Sequence, residues 1–276
     1  MERDIVDIHN NIKSLIRAQH KCECTGIRLP EYPGVNKSVF LADTQCDGTY
    51  VFKLTCAPLA LKNEAISKLL TSGGLPVPDI RVMYTEKYVF ETYQMIPGQT
   101  LYEKIKAGEC SKSQITNAYR EMIRIQAKME HVGASAGVPK MPMIDCHDIA
   151  RANIAGTNNY LFALLFSTWV RCANIGSRRD LCLSNFDLNQ KNVLVNSTNS
   201  VVGVIDIDTI GLCNRHFSLA MMLEKYARLG YAVDELLDYY EHIMQVKLNR
   251  VRIKSMLSLI GGGKKMLWWH ANNKSR

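Results

Sequence analysis

The 276 residues are 47% hydrophobic and 22% charged, ordinary globular chemistry that excludes a disordered chain and suits one large domain or two lobes. The longest strongly apolar stretch, Tyr160 to Val170, falls short of the about 20 residues a bilayer span needs, and the charged N-terminus, Met1-Glu2-Arg3-Asp4, carries no signal-peptide core; a cytoplasmic location is expected. The net charge of +8 is dispersed rather than gathered with aromatics on one face, so nucleic acid is not an expected partner, and nine scattered cysteines read as free thiols.

In chain order, Ile5, Ile8, Ile12, Leu15 and Ile16 recur at helical spacing and predict an amphipathic helix over the first eighteen residues. Lys37 to Ala42 and Thr49 to Thr55 are β-rich runs joined through Asp47-Gly48, a hairpin signal. A helix from about Leu59 to Ser72 ends at Gly73-Gly74. Two more strands are expected at Ile80 to Tyr84 and Tyr88 to Tyr93. After Pro97-Gly98 the character turns helical: Thr100 to Ala107, Lys112 to Val132 with Ser111 or Ser113 as cap, and about Asp148 to Ala173. A short β-rich island, Asn192 to Asp206, interrupts the helices, which resume at His216. Strands first and helices later predict an α+β protein of two lobes, joined near Gln94 to Gly98.

The chemistry concentrates between Leu181 and Ile210. Asp187 and Asn192 sit on a polar loop before the strand Val193 to Val195; Asp206 and Asp208 follow the run Val201 to Ile205. A hairpin there returns Asp206 toward Asn192 and gathers three carboxylates and one amide oxygen. Magnesium takes hard oxygen ligands of this kind. Phosphoryl transfer also needs a carboxylate to orient and deprotonate the attacking hydroxyl.

Asp187-x4-Asn192, the hairpin, and Val204-Ile205-Asp206-Ile207-Asp208 together resemble the catalytic and metal-binding loops of the aminoglycoside phosphotransferase and choline kinase superfamily. The resemblance implies a protein-kinase-like fold, with a β-rich N-lobe over 1–97 and a mainly helical C-lobe over 98–276. It implies Asp187 as catalytic base, Asn192 and Asp206 as magnesium ligands, and Asp208 as an additional ligand. Kinase folds also set a strand lysine, here Lys53, on the ATP phosphates, with a helix glutamate, here Glu64, as its counter-ion. Asn36 and Ser38 fall where a phosphate-covering loop is expected. Phe90 to Leu101, containing Ile96-Pro97-Gly98, resembles the family's hinge, which implies adenine contacts from the backbone of Gln94 to Ile96. Two positions depart from the pattern: Asn185 stands where the family has histidine, and Ser218 precedes Leu219-Ala220 where it often has aspartate.

The expected activity is ATP- and Mg²⁺-dependent phosphorylation of a hydroxyl on a small molecule, such as an amino alcohol, sugar or aminoglycoside. No segment after Asp206 resembles a protein kinase's long activation loop. The other two readings are a nucleotide-binding pseudokinase, motivated by Asn185 and Ser218, and a protein kinase. Asp180, Asp234, Glu235, Asp238 and Glu241 read either as a solvated helix face or as a seat for a cationic acceptor. Neither the acceptor, the choice of ATP over GTP, nor the oligomeric state is legible.

Overall fold

The computed structural model describes residues 2–30, 38–136, 180–258 and 260. Asn36, Lys37, the helix expected from Asp148 to Ala173 and the segment from Gly261 onward lie outside the described residues. The chain forms two compact units. The first comprises Met1–Gly98 and Val202–Asp208, the second Gln99–Val201 and Thr209–Arg276.

In the first unit, α1 (Glu2–His20) precedes β1 (Cys24–Arg28), β2 (Val39–Thr44), β3 (Thr49–Thr55), α2 (Ala57–Ser72), β4 (Arg81–Tyr84) and β5 (Val89–Gln94). The strands make one antiparallel sheet in the order β1-β2-β3-β5-β4. Ile8, Ile12 and Ile16, one turn apart on α1, bury against Phe40, Ala42, Phe52, Met83 and Phe90. Ile5 lies off that stripe and is exposed. Removing so many branched and aromatic side chains from water is the main force seating α1, at about 1.5–3 kcal/mol for each fully buried residue.

α2 stops where the sequence punctuates it. Gly73 N–H donates to Leu69 O, and Gly74, at φ 68°, takes the left-handed conformation that glycine adopts without a Cβ penalty. β1 was not anticipated. Its sequence, CTGIR, lacks a clean alternation, and its register with β2 shifts between Cys24 and Gly26.

In the second unit, β6 (Gln99–Thr100) leads into α3 (Leu101–Lys106) and α4 (Lys112–Ser135). Ser111 is the α4 cap: its hydroxyl accepts Gln114 N–H while the Gln114 side chain accepts Ser111 N–H. β7 (Leu181–Asn185) and β8 (Val193–Val195) follow. β9 (Val201–Val204) is where the chain passes from the second unit to the first, and β10 (Ile210–Asn214) follows it. Next come α5 (Arg215–Arg228) and α6 (Asp234–Met244), with a further helical run at 250–258.

β7 pairs antiparallel with β10, setting Asn185 opposite Ile210. α4 carries Tyr119, Met122 and Ile123, which are fully buried, as are Phe217, Leu223 and Tyr226 of α5 and Leu236, Leu237 and Tyr240 of α6. Gly133 of α4 is required by closeness: a Cβ there would fall 2.5 Å from Leu183 Cβ on β7. Within this core Glu130 is buried but satisfied, accepting from Arg215, Tyr240 and Gln126.

Candidate active site

β3 carries Lys53 in an apolar strand, with its side chain only 16% exposed. An ammonium so placed needs partners. It has Asp208 Oδ2 at 2.5 Å and Asp206 Oδ1 at 3.5 Å, and it faces Glu91 across the β3–β5 ladder. Burial works against the charge on Lys53, but Asp208, Asp206 and Glu91 outweigh it and hold the group above the ordinary lysine value.

Glu91 is 1% exposed. Burial, reinforced by Asp208 and Asp206, pushes its carboxyl up to about 7 against the pull of Lys53 and the Asn63 hydrogen bond. Asn63 Nδ2 donates to both Glu91 Oε1 and Asp208 Oδ1, each at 2.8 Å, and Lys62 Nζ donates to the Asp208 carbonyl at 2.8 Å. A cavity of about 20 Å³, lined by Lys53, Ile80, Glu91, Tyr93, Asp206 and Asp208, opens among them. It has room for one water-sized group.

Asp206 departs from ordinary backbone geometry. Its φ of 58° lies in the left-handed region, which costs an L-residue about 1–2 kcal/mol. Strain of this kind persists where surrounding structure enforces it, commonly at functional sites.

Glu64 does not reach Lys53. It pairs with Lys68 at 3.3 Å and accepts Val82 N–H at 3.4 Å. The reason is helical phase. Along α2, Ala60, Asn63, Ile66, Ser67 and Leu70 form the buried stripe, so Asn63 is turned inward and Glu64, one position on, lies on the flank.

In the second unit, Asp187 follows β7 on a tight loop. Asn189 Nδ2 donates to Asp187 Oδ1 at 2.6 Å, and Asn192 Nδ2 donates to Oδ2 at 2.8 Å. Both oxygens of the carboxylate are therefore oriented. The loop itself hangs on Asn185, whose Oδ1 accepts Asp187 N–H at 3.0 Å and the Thr209 hydroxyl at 2.8 Å. Ser218 of α5 hydrogen-bonds Ser184 of β7, which also bonds Gln126 of α4. Both departures from the family pattern thus fall on side chains that tie the loop and its strand in place.

The remaining expected residues have these positions. Ser38 lies just before β2, and its carbonyl accepts Leu54 N–H at 2.8 Å. Gln94 ends β5 and donates through its side chain to Asp47 O at 2.8 Å. Ile96 packs over Gly203, where a Cβ would come within 2.9 Å of Ile96 Cγ2. Asn63, Glu91, Lys62 and Asn189 were not anticipated. Asn63 had a legible signal, being one of two polar residues, with Ser67, on a buried helical stripe. Asn189 had one too, since Asx residues close turns onto nearby backbone. The acidic residues of the last helices are already neutralised: Arg120 pairs with Glu235, Arg250 with Asp238 and Glu241, and Lys254 with Asp234. They form a solvated, ion-paired surface.

Residues 33–246 match the model of the phosphotransferase enzyme family, APH. The chain belongs to this family. No curated protein matches the sequence. Among solved structures, aminoglycoside phosphotransferase APH(3'')-Id from Streptomyces rimosus, determined with ADP and streptomycin, aligns with a TM-score of 0.62 at 14% identity, covering 90% of this chain and 96% of that one. Macrolide 2'-phosphotransferase MphH from Brachybacterium faecium aligns at 0.55 and 13%, covering 94% and 92%. The GDP and kanamycin complex of APH(2")-IIIa aligns at 0.60 and 13%, covering 96% and 93%. The phosphotransferase family thereby accounts for the α+β, kinase-like fold, with its five-stranded antiparallel sheet and its helical remainder. Among the described residues no helix is long and apolar enough to cross a membrane.

Proposed function

We propose that this phosphotransferase moves the γ-phosphoryl group of ATP onto a hydroxyl of a small molecule in a magnesium-dependent reaction. The observation that carries the reading is the clasp on Asp187. Asn189 and Asn192 fix both carboxylate oxygens on a loop that Asn185 and Thr209 anchor. A carboxylate aimed in this way is suited to accept the acceptor's hydroxyl proton. As the oxygen bonds to the γ-phosphorus, the bond to the β–γ bridging oxygen breaks and its electrons leave with ADP.

The first unit supplies the nucleotide side. Lys53 is the cation for the phosphates, and Asp206 is the carboxylate ligand for magnesium. Among the described residues no three His, Cys, Asp or Glu side chains cluster as a metal cage. Magnesium bound with a nucleotide is commonly held by one or two carboxylates together with phosphate oxygens. Asn192 spends its NH₂ on Asp187, through Oδ2 and the main-chain carbonyl, and those bonds leave its Oδ1 for a metal. Bound magnesium would neutralise charge developing on the transferred phosphoryl and the leaving group.

The relatives' structures hold streptomycin and kanamycin, which supports an acceptor of sugar or amino-sugar type here. Paired as they are, the acidic residues of α6 do not favour a polycationic acceptor over a neutral one. Asn185 weakens the pseudokinase reading, because it holds the loop rather than leaving it loose. The deciding experiment is an ATP-consumption screen against amino alcohols, sugars, amino sugars, aminoglycosides and macrolides. Acceptor-dependent ADP release supports the reading. ATP binding without turnover on any acceptor supports a pseudokinase, and efficient phosphorylation of generic protein substrates supports a protein kinase.

A further inference from the structure

We propose that Asp208, steadied by Asn63, is the positioning residue of Lys53 and replaces the helix glutamate in that role, leaving Asp206 as this unit's cation ligand. The inference rests on the nucleotide-binding reading above and gives Asp208 a different role from the ligand expected of it.

Both carboxylate oxygens of Asp208 are engaged by the protein. Oδ2 meets Lys53 Nζ and Oδ1 accepts from Asn63 Nδ2, while the backbone carbonyl accepts from Lys62 Nζ. β3 and α2 thus grip the residue at three atoms. A carboxylate has spare lone pairs, but a divalent cation on either oxygen would lie within a few ångströms of the Lys53 ammonium, and like charges at that range repel strongly. Asp206 is differently placed. Its side chain is 47% exposed, and its contact with Lys53 is the longer one, at 3.5 Å.

The helix glutamate is committed elsewhere. Glu64 is engaged by Lys68 and by the Val82 N–H. What α2 offers instead is a donor. The two hydrogens of the Asn63 amide reach one acceptor each, Glu91 on β5 and Asp208, and so link the two carboxylates that flank Lys53. An acidic side chain at Asn63 would set a third carboxylate against those two, whereas an amide bonds both. In this chain the charge that holds the lysine sits on Asp208 rather than on the helix, and the helix residue that meets it is a donor.

Calorimetric ATP titrations in EDTA, and magnesium titrations of the ATP complex, separate the roles. Asp208→Asn and Asn63→Leu are expected to weaken ATP binding in EDTA about tenfold and to leave the half-saturating magnesium concentration within about twofold. Asp206→Asn is expected to raise that concentration at least about tenfold. Glu64→Gln is expected to change neither reading by more than about twofold. Thermal midpoints report whether each variant is folded, and the isosteric Asp208→Asn alone carries the test if Asn63→Leu does not fold. A magnesium shift in Asp208→Asn equal to that of Asp206→Asn overturns the inference, as does a loss of ATP affinity in Glu64→Gln equal to that of Asp208→Asn. An unmodified protein that binds no ATP overturns the nucleotide reading itself, a result distinct from either.

Discussion

Asn185 Oδ1 lies 3.0 Å from the backbone nitrogen of Asp187 and accepts its N–H, fixing the loop that carries the proposed base. The same oxygen takes the Thr209 hydroxyl, so one amide joins the end of β7 to the residue just before β10.

Asn185→Ala removes that acceptor from the part-buried Thr209 hydroxyl and leaves the Asp187 N–H with Thr209 Oγ1 alone, at 3.2 Å. Stability is expected to fall by about 1–3 kcal/mol in urea unfolding. Turnover is expected to fall at least about tenfold while KM for ATP moves less than about threefold, because the loop orients the base rather than the nucleotide. An unchanged kcat would show that the loop holds itself.

Asp187→Ala is expected to reduce kcat by about 10²–10⁴, the usual contribution of a positioned general base. ATP affinity, read by calorimetry, should stay within about threefold. Parallel loss of binding and turnover would place Asp187 on the nucleotide instead.

Gly133→Ala opposes two effects of known size. Alanine favours an α-helix over glycine by about 1 kcal/mol. The added Cβ, however, meets Leu183 Cβ at 2.5 Å, and overpacking of this kind costs about 1–3 kcal/mol. The clash is with the root of a side chain on a paired strand, which has little freedom to withdraw, so the variant is expected to unfold at lower urea with an unchanged m-value. Stabilisation would mean that α4 and β7 part easily.

Glu91 makes stability depend on pH. Its carboxyl is raised from 4.5 to about 7 in the folded protein, so the fold binds that proton more tightly than the unfolded chain does. Its contribution is most favourable below 4.5, declines as pH rises through the window to about 7, and above it remains a penalty of roughly 3 kcal/mol. Glu91→Gln should therefore gain on the unmodified protein as pH rises from about 5 to about 8, measured as unfolding free energy across that range. A gap that is constant, or widest in acid, would contradict this.

Much of this architecture is written in local chemistry. Gly73-Gly74 ends α2, Ser111 caps α4, and the branched and aromatic runs of β2, β3 and β5 form strands because their side chains bury a shared face. Asp187 and Asn192 were legible as a polar pair on one loop, and there Asn192 Nδ2 bonds Asp187 Oδ2. β7 and β10 were not, since LCLSN and IGLCN are short runs that owe their strand form to pairing with each other across some thirty residues. Lys53 was legible as a charge in an apolar strand, but its partner was not. The stripe Ala60, Ile66 and Leu70 puts Asn63 inward and Glu64 on the flank, whereas the kinase pattern expects a glutamate. Glu91 was not legible for the converse reason, as an acid on a buried strand face that the lysine opposite and the Asn63 amide make tolerable.

The left-handed backbone at Asp206 sets stability against the side chain it carries. Glycine would occupy that φ of 58° without steric penalty, so drift toward thermostability alone would favour losing the aspartate. If Asp206 serves the proposed reaction, its side chain is held at that backbone cost, and a library sorted only for thermal tolerance would be expected to enrich inert variants at this codon.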